Sequence, residues 1–338
     1  MNDVSRELRL GVWGAGVMGA RVARAAAALS GVTVAAVIDL DEDRARHTAA
    51  QVGATATSSL AAAQGEAGVD AVYIGLPNGL HADACLEAAR LGLHVLIDKP
   101  LTTTVSDADA VLAAAAATPA FWMMGFSYRF RAEWREARDI VRRGGIGDVY
   151  VVVDDVIEAY RDTPRWYWEA ARGGGTLLLQ SHHVFDRWEW MLGADVTAVS
   201  ARTVSIPGVE ADLAVALQAQ LGPSIIGSSA MSFGVTYDAK PRVAFTVQGT
   251  RGMIEIDETR RLIVSTPAGI EERTFDGDDW LATQIADFVA GVRGTATGQP
   301  TLRAGRRAVQ LADAARRSAA QGAWLAIPPS TADDGRTG

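Results

Sequence analysis

The chain has 338 residues, and a single compact domain usually runs to ~100–200, so the length favours two domains. Hydrophobic residues make up 49% and charged residues 21%, enough apolar side chain for a core, which excludes a wholly disordered chain. The 32 basic and 40 acidic residues leave a net charge of −8, which argues against a nucleic-acid partner, since that needs a basic face.

The first third alternates strand and helix patterns. Leu8–Trp13 is an apolar run that meets Gly14-Ala15-Gly16-Val17-Met18-Gly19, and a helical stretch follows from Val17 to Ser30, stopped by Gly31. Val32–Ile38 is a second apolar run closed by Asp39, after which Asp41 caps a helix reaching Val52. A strand over Val69–Leu76 leads to Pro77-Asn78, a helix covers Asp83–Leu91, and a strand over Leu93–Ile97 ends at Asp98-Lys99-Pro100. Near-continuous apolar strands between helices indicate a parallel sheet covered on both faces. The most apolar stretch, Ala108 to Phe126, is broken by Thr118 and Pro119, too interrupted for a membrane span of ~20 residues. Met1 to Leu10 carries charges in place of the apolar centre of a signal peptide.

Phe121–Phe126 reads as the last strand of this first domain, and Glu133–Arg143 as a helix ended by Gly144-Gly145. From Val149 onward longer strands dominate. Ala211–Leu221, Ser224–Phe233, the alternation of Val243, Phe245 and Val247, and Met253–Ile256 read as antiparallel hairpins. Two helices follow, around Asp279–Val292 and Leu302–Gln321. The spacing therefore predicts a dinucleotide-binding domain over 1–124, a substrate-binding and oligomerisation domain over 125–328, and a polar, disordered tail over 329–338. The second-domain strands read as apolar on both faces, Ala214 and Ala216 alternating with Leu213, Val215 and Leu217, which predicts a homodimer or homotetramer.

Gly14, Gly16 and Gly19 form G-x-G-x-x-G between a strand and a helix. The first glycine allows the tight turn, the second lets a pyrophosphate approach the backbone, and the third lets helix and strand pack closely. The helix start offers unpaired N–H groups to the phosphates. Asp39 stands 20 residues after Gly19 at the end of the next strand, in line with the ~20 expected. A carboxylate there accepts from a ribose 2′-OH and repels a 2′-phosphate, favouring NAD over NADP; its alternative role is a helix cap or loop carboxylate. Cys85 is the single cysteine, so no disulfide and no Cys-based zinc cluster form within the chain, no metal is expected, and a cytoplasmic location fits. Only Lys99 and Lys240 are lysines among the 32 basic residues, so a Lys here marks a place where Arg does not serve, such as proton transfer.

In these residues and motifs the chain resembles the Gfo/Idh/MocA oxidoreductases, a family named for glucose–fructose oxidoreductase and inositol dehydrogenase. The matching segments are Gly14 to Gly19, Leu76-Pro77-Asn78 with His81, His94 to Pro100, Tyr128-Arg129-Phe130, Gly173-Gly174-Gly175, His183 with Asp186, and the region from Ala314 to Trp324. The resemblance implies a Rossmann domain followed by an α/β domain with a large open, mainly antiparallel sheet. It implies hydride transfer between NAD(P) and a sugar or cyclitol carbon. Ala15, Val17, Met18, Pro77, Asn78, His81, Asp98 and Lys99 are then expected with the three glycines and Asp39 at the cofactor. Lys99 and His183 are expected as the catalytic pair, with Lys99, Tyr128, Arg129, Trp166, Gln180 and His183 at the substrate.

Two departures matter. Asp98 replaces the family's usual Glu and keeps the charge. Leu179 stands where relatives commonly carry Asp, one turn before His183 on the predicted helix Gly175–Leu192. Trp166, Tyr167 and Trp168 either stack on sugar C–H faces or simply pack, and Gly173–Gly175 either admits substrate or makes a loop-to-helix turn. Two other functions stay open at this point: a dinucleotide-binding regulator without turnover, favoured by Leu179, and an NAD-dependent glycosidase.

Overall fold

The computed structural model describes residues 7–159, 163–234, 237–277, 279–295 and 298–330. They form two units: one of the described residues up to Ser127 with Asp279–Arg306, the other of those in Tyr128–Asp278 and from Arg307 on.

In the first unit the elements alternate: β1 (Leu8–Trp13), α1 (Val17–Ala27), β2 (Val32–Ile38), α2 (Glu42–Val52), β3 (Thr55–Thr57), α3 (Leu60–Ala67), β4 (Ala71–Ile74), α4 (His81–Arg90), β5 (His94–Asp98), α5 (Val105–Ala116) and β6 (Trp122–Gly125). The six strands are all parallel in the order β3-β2-β1-β4-β5-β6. β2 is a run of Val, Ala and Ile broken by one Thr, and β4 is buried along its whole length, as a sheet covered on both faces requires. Chain direction across the sheet reverses between β1 and β4, so the turns after these strands flank the crevice where such sheets bind ligands. Asp41 caps α2, its carboxylate accepting from the Arg44 N–H at 3.1 Å. The helix after Gly16 ends at Ala27, one turn short of the predicted Ser30.

The second unit holds α6 (Ala132–Arg142), β7 (Val149–Ala159), α7 (Thr176–Leu192), β8 (Val196–Val204), β9 (Ala214–Leu221), β10 (Ile225–Gly234), β11 (Ala239–Gly249), β12 (Gly252–Asp257), β13 (Arg261–Thr266) and β14 (Gly269–Thr274). The chain then contributes α8 (Trp280–Val292) to the first unit, and α9 (Leu302–Gln321) and β15 (Leu325–Ala326) follow. The nine strands run β14-β13-β12-β11-β7-β10-β9-β8-β15, antiparallel except for the β7–β10 pair. One sheet face is a core in which Trp134, Trp188, Phe245 and Leu311 are each at most 1% exposed. The other face is mixed rather than apolar: Ile157 and Ile226 are exposed, but Gln218 and Gln248 are too, and Ser228 and Ser232 lie among them.

The boundary predicted near residue 124 does not foresee the return of the chain over 279–306. Its cause is apolar burial. Leu281, Ile285, Phe288 and Val289 of α8 are buried, Phe288 meets Phe121 at 6.0 Å between ring centroids, and the Met124 N–H donates to Pro300 O at 2.9 Å. Pro329 and Ser330, placed in the predicted tail, are described, and the Ser330 N–H donates to Asp195 at 2.9 Å; the rest of that tail lies outside the described residues.

Candidate active site

The turn after β1 shows why three glycines stand there. Gly14 has φ of +103°, and a Cβ on it would overlap the Gly75 carbonyl in the turn after β4. A Cβ on Gly19 would overlap the Gly14 carbonyl, so only glycine lets α1 pack this tightly on its strand. Gly16 is different: it is exposed, and a Cβ there meets nothing within 4 Å. Space is open at the one position where a pyrophosphate must approach, and the start of α1 is not capped by a side chain. The residues fit a dinucleotide. Ala15 is buried, whereas Val17 is 76% exposed and Met18 partly so, beside this opening.

Asp39 is buried and works on the loop itself. Its Oδ2 accepts the Ala15 N–H at 2.8 Å, and its Oδ1 accepts the Asp41 N–H at 2.9 Å and the Arg44 guanidinium at 3.1 Å. The loop-carboxylate role is therefore real, and it ties the turn after β1 to the start of α2. Arg44 at this carboxylate escaped the sequence; its one signal is the i+5 spacing from Asp39 across the start of α2.

Pro77 and Asn78 open a short turn before α4, and Asn78 is buried. His81 does not present its ring to a cofactor. It is 1% exposed, with Nδ1 2.6 Å from Pro100 O and Nε2 2.9 Å from Leu76 O. It ties the turn after β4 to the turn after β5. Burial pushes its pKa below the usual histidine value, against the pull of the two carbonyls and Asp98. Asp98 accepts the Lys99 N–H at 2.7 Å and the Tyr73 hydroxyl at 3.1 Å. Lys99 itself is part-exposed just beyond β5, its backbone held on both sides.

In the second unit α7 carries the expected His183. Its first N–H groups are satisfied from outside: the Leu177 N–H donates to Asp212 Oδ2 at 2.8 Å and the Thr176 N–H to Asp212 O at 2.9 Å. Burial raises the Asp212 carboxyl pKa. The glycine run before the helix is packing, not a substrate entry: a Cβ on Gly174 would overlap the carbonyls of Trp166 and Tyr167, and one on Gly175 would lie 2.6 Å from Asp212 Oδ1. Three buried ion pairs hold the later turns. Asp186 meets Arg129 at 2.6 Å, Arg187 meets Asp154 at 2.6 Å, and Glu189 meets Arg307 at 3.0 Å.

Arg129, expected at the substrate, is thus corrected to a structural role: it is 5% exposed, and Nε and Nη2 both donate to Asp186. Tyr128 is also buried. Its ring lies edge-on to His183 at 5.1 Å and under the Arg187 guanidinium at 4.1 Å. Trp166 is part-exposed and packs against Tyr167 at 4.4 Å. Gln180 is part-exposed, and its Nε2 donates to Glu158 Oε2 at 2.6 Å. Glu158 escaped the sequence reading; its signal is the period-2 alternation that puts it on the same face as buried Asp154 and Val156. The expected residues thus divide, those from Gly14 to Lys99 in the first unit and those from Tyr128 to His183 in the second.

Two family models match the chain. One, described as an oxidoreductase family with an NAD-binding Rossmann fold, covers residues 8–126; the other, the GFO/IDH/MocA C-terminal domain, covers 134–255. The chain is 27% identical over 341 residues to inositol 2-dehydrogenase of Rhizobium meliloti (strain 1021), spanning 95% of this chain and 99% of that protein. It is 30% identical over 312 residues to the rhizopine catabolism protein MocA of Rhizobium meliloti, spanning 91% and 93%. Levoglucosan dehydrogenase, solved in complex with NADH and L-sorbose, shares the fold with a TM-score of 0.87 over 96% of this chain and 100% of that one, at 20% identity.

Proposed function

The chain belongs to the Gfo/Idh/MocA oxidoreductases, and from that premise we propose that it is an NAD-dependent dehydrogenase or reductase acting on a hydroxyl or carbonyl carbon of a sugar or cyclitol. The observation that carries it is the turn after β1, where Gly14 and Gly19 are filled by backbone and Gly16 alone is open. The named activities of the relatives supply the substrate class.

Bound NAD would supply the hydride acceptor, or as NADH the donor. The first N–H groups of α1 would hold its pyrophosphate, and Asp39 would accept its ribose 2′-hydroxyl. Lys99 exchanges a proton with the reacting hydroxyl, a task closed to Arg because it stays protonated. His183 positions that hydroxyl or passes the proton on. The exposed edges of Trp166 and its neighbours meet the C–H faces of the ring.

The test is nicotinamide absorbance during a screen of inositols, aldoses and keto-sugars. A sustained change with at least one of them is expected. Tight NAD binding with no change for any would turn the assignment to a regulator, and sugar release without net change would turn it to a glycosidase. Ile157 and Ile226, exposed on the otherwise mixed second face of the sheet, support a homodimer or homotetramer, which a monomer in light scattering would refute. A cytoplasmic location belongs to the same proposal, supported by Cys85 being the single cysteine of the chain.

A further inference from the structure

On α7, Leu179, one turn before His183, is apolar and 3% exposed, and the carboxylate one turn after it, Asp186, is taken up by Arg129. A carboxylate reaches this helix from the sheet instead. Glu158 stands near the end of β7 and points to the helix-covered side, in step with buried Asp154 and Val156. It accepts the Gln180 amide nitrogen at 2.6 Å, and Gln180 precedes His183 by three residues, within side-chain reach on one helix face. Glu158, Gln180 and His183 are all part-exposed, while Leu179, Ser181 and His182, which flank Gln180 and His183 on the helix, are buried. Phe233 pairs with Glu158 across β7 and β10, and its ring meets Trp168 at 5.3 Å. Imidazole, amide, carboxylate and aromatic edges therefore gather in one corner of the second unit.

A glutamine amide has a donor end and an acceptor end, and alone it can turn either to a ligand. A carboxylate only accepts. Tied to Glu158 by one N–H, the amide is held against flipping, and Gln180 Oε1 is directed away from the carboxylate as an acceptor. We infer that Glu158 is a positioning residue for substrate recognition: by holding the Gln180 nitrogen it fixes Gln180 Oε1 as an acceptor beside His183, so the substrate must bring a hydroxyl or ammonium donor to that point. An ether, carbonyl or carboxylate oxygen there faces an acceptor and makes no bond. The inference deepens the proposed activity on polyols and rests on it.

The variants are Glu158→Gln, Gln180→Glu and the double swap, each assayed with NAD on myo-inositol and D-glucose and on each of their mono-O-methyl ethers. The unmodified protein is expected to prefer the free polyol over at least one ether by roughly 10- to 100-fold in kcat/KM, the size of leaving a polar group unpaired. Glu158→Gln should flatten that preference, because two amides pair either way round. The double swap should restore it, since an amide on the strand bonded to a carboxylate on the helix again presents only acceptors. A merely structural Glu158 would lower rates on polyol and ether alike and would not be rescued by the swap; that pattern overturns the inference. A Gln180 side-chain amide resonance, identified by its loss in Gln180→Leu, must also move in Glu158→Gln, and a stationary one overturns it without any turnover. If the unmodified protein oxidises none of these polyols, the polyol activity and this inference fall together. If it oxidises them and Glu158→Gln keeps the preference, only the inference falls.

Discussion

Replacing Gly16 with valine should separate cofactor binding from folding. Gly16 has φ of −70° and ψ of −170°, extended values that a β-branched residue adopts readily, and a Cβ there meets nothing within 4 Å. Losing glycine at a helix N-cap costs about 0.5–1 kcal/mol. A stiffer unfolded chain returns about 0.4–1 kcal/mol. The net is near zero, so Tm should move by no more than about 4 °C. The isopropyl group nevertheless fills the approach to the start of α1. Losing one hydrogen bond to a charged group is worth about 1.5–3 kcal/mol, and at 1.4 kcal/mol per decade NAD affinity should fall at least roughly 10- to 100-fold. Calorimetric titration with NADH and a thermal melt of the same sample check both halves. Gly19→Ala is the contrast, because its Cβ collides with the Gly14 carbonyl and must damage the fold. Unchanged NADH affinity in a folded Gly16→Val protein would refute the placement of the pyrophosphate.

Lys99→Arg should keep NAD binding and lose about 10²- to 10⁴-fold in kcat, and His183→Ala should cost less, about 10- to 100-fold; steady-state kinetics reversing that order would exchange the two roles. Asp39→Ala should narrow or reverse the preference for NAD over NADP, because it frees Arg44, now 3.1 Å from Oδ1, to meet a 2′-phosphate. Equal affinity for both cofactors before the substitution would sink that argument. His94 Nδ1 accepts the Phe121 N–H at 2.8 Å, and burial holds its pKa below the 6.5 of a free histidine. The unfolded chain then takes up the proton first, so stability is full above about pH 6.5 and is lost as the pH falls through the lower folded value. Denaturant melts across that range should show the slope, and His94→Gln should remove it; a slope that survives places its origin elsewhere.

The sequence made β1, α1 and β2 legible because their signals are local: an apolar run, a glycine spacing and a capping Asp41 lie within a few residues of one another. The same holds for α7 and α9, whose apolar periodicity is long. The short β3 and α3 went unread, since three residues and an alanine-rich turn or two carry little pattern. Long-range effects were hidden for a different reason. Nothing near Trp280 says that α8 packs against Phe121 rather than the strands just before it. Arg129 is recognisable as a polar residue in a family motif, but only the fold reveals that Asp186 absorbs it. Glu158 lies 22 residues from Gln180, and no spacing rule links a strand end to a helix face.

The three ion pairs of α7 bear on the redesign of its specificity. Asp186, Arg187 and Glu189 sit within four consecutive positions, and their partners come from the turn before α6, from β7 and from α9. Turning the helix by a single residue, about 100°, would strain all three at once. Removing one partner of such a buried pair costs about 3–5 kcal/mol. The C-terminal half of α7 thus works as a fixed mount for the turn that carries His183. A library at Leu179 and Gln180 can be screened for new polyols on that footing: winners there report on the choice of substrate, with the mount held constant.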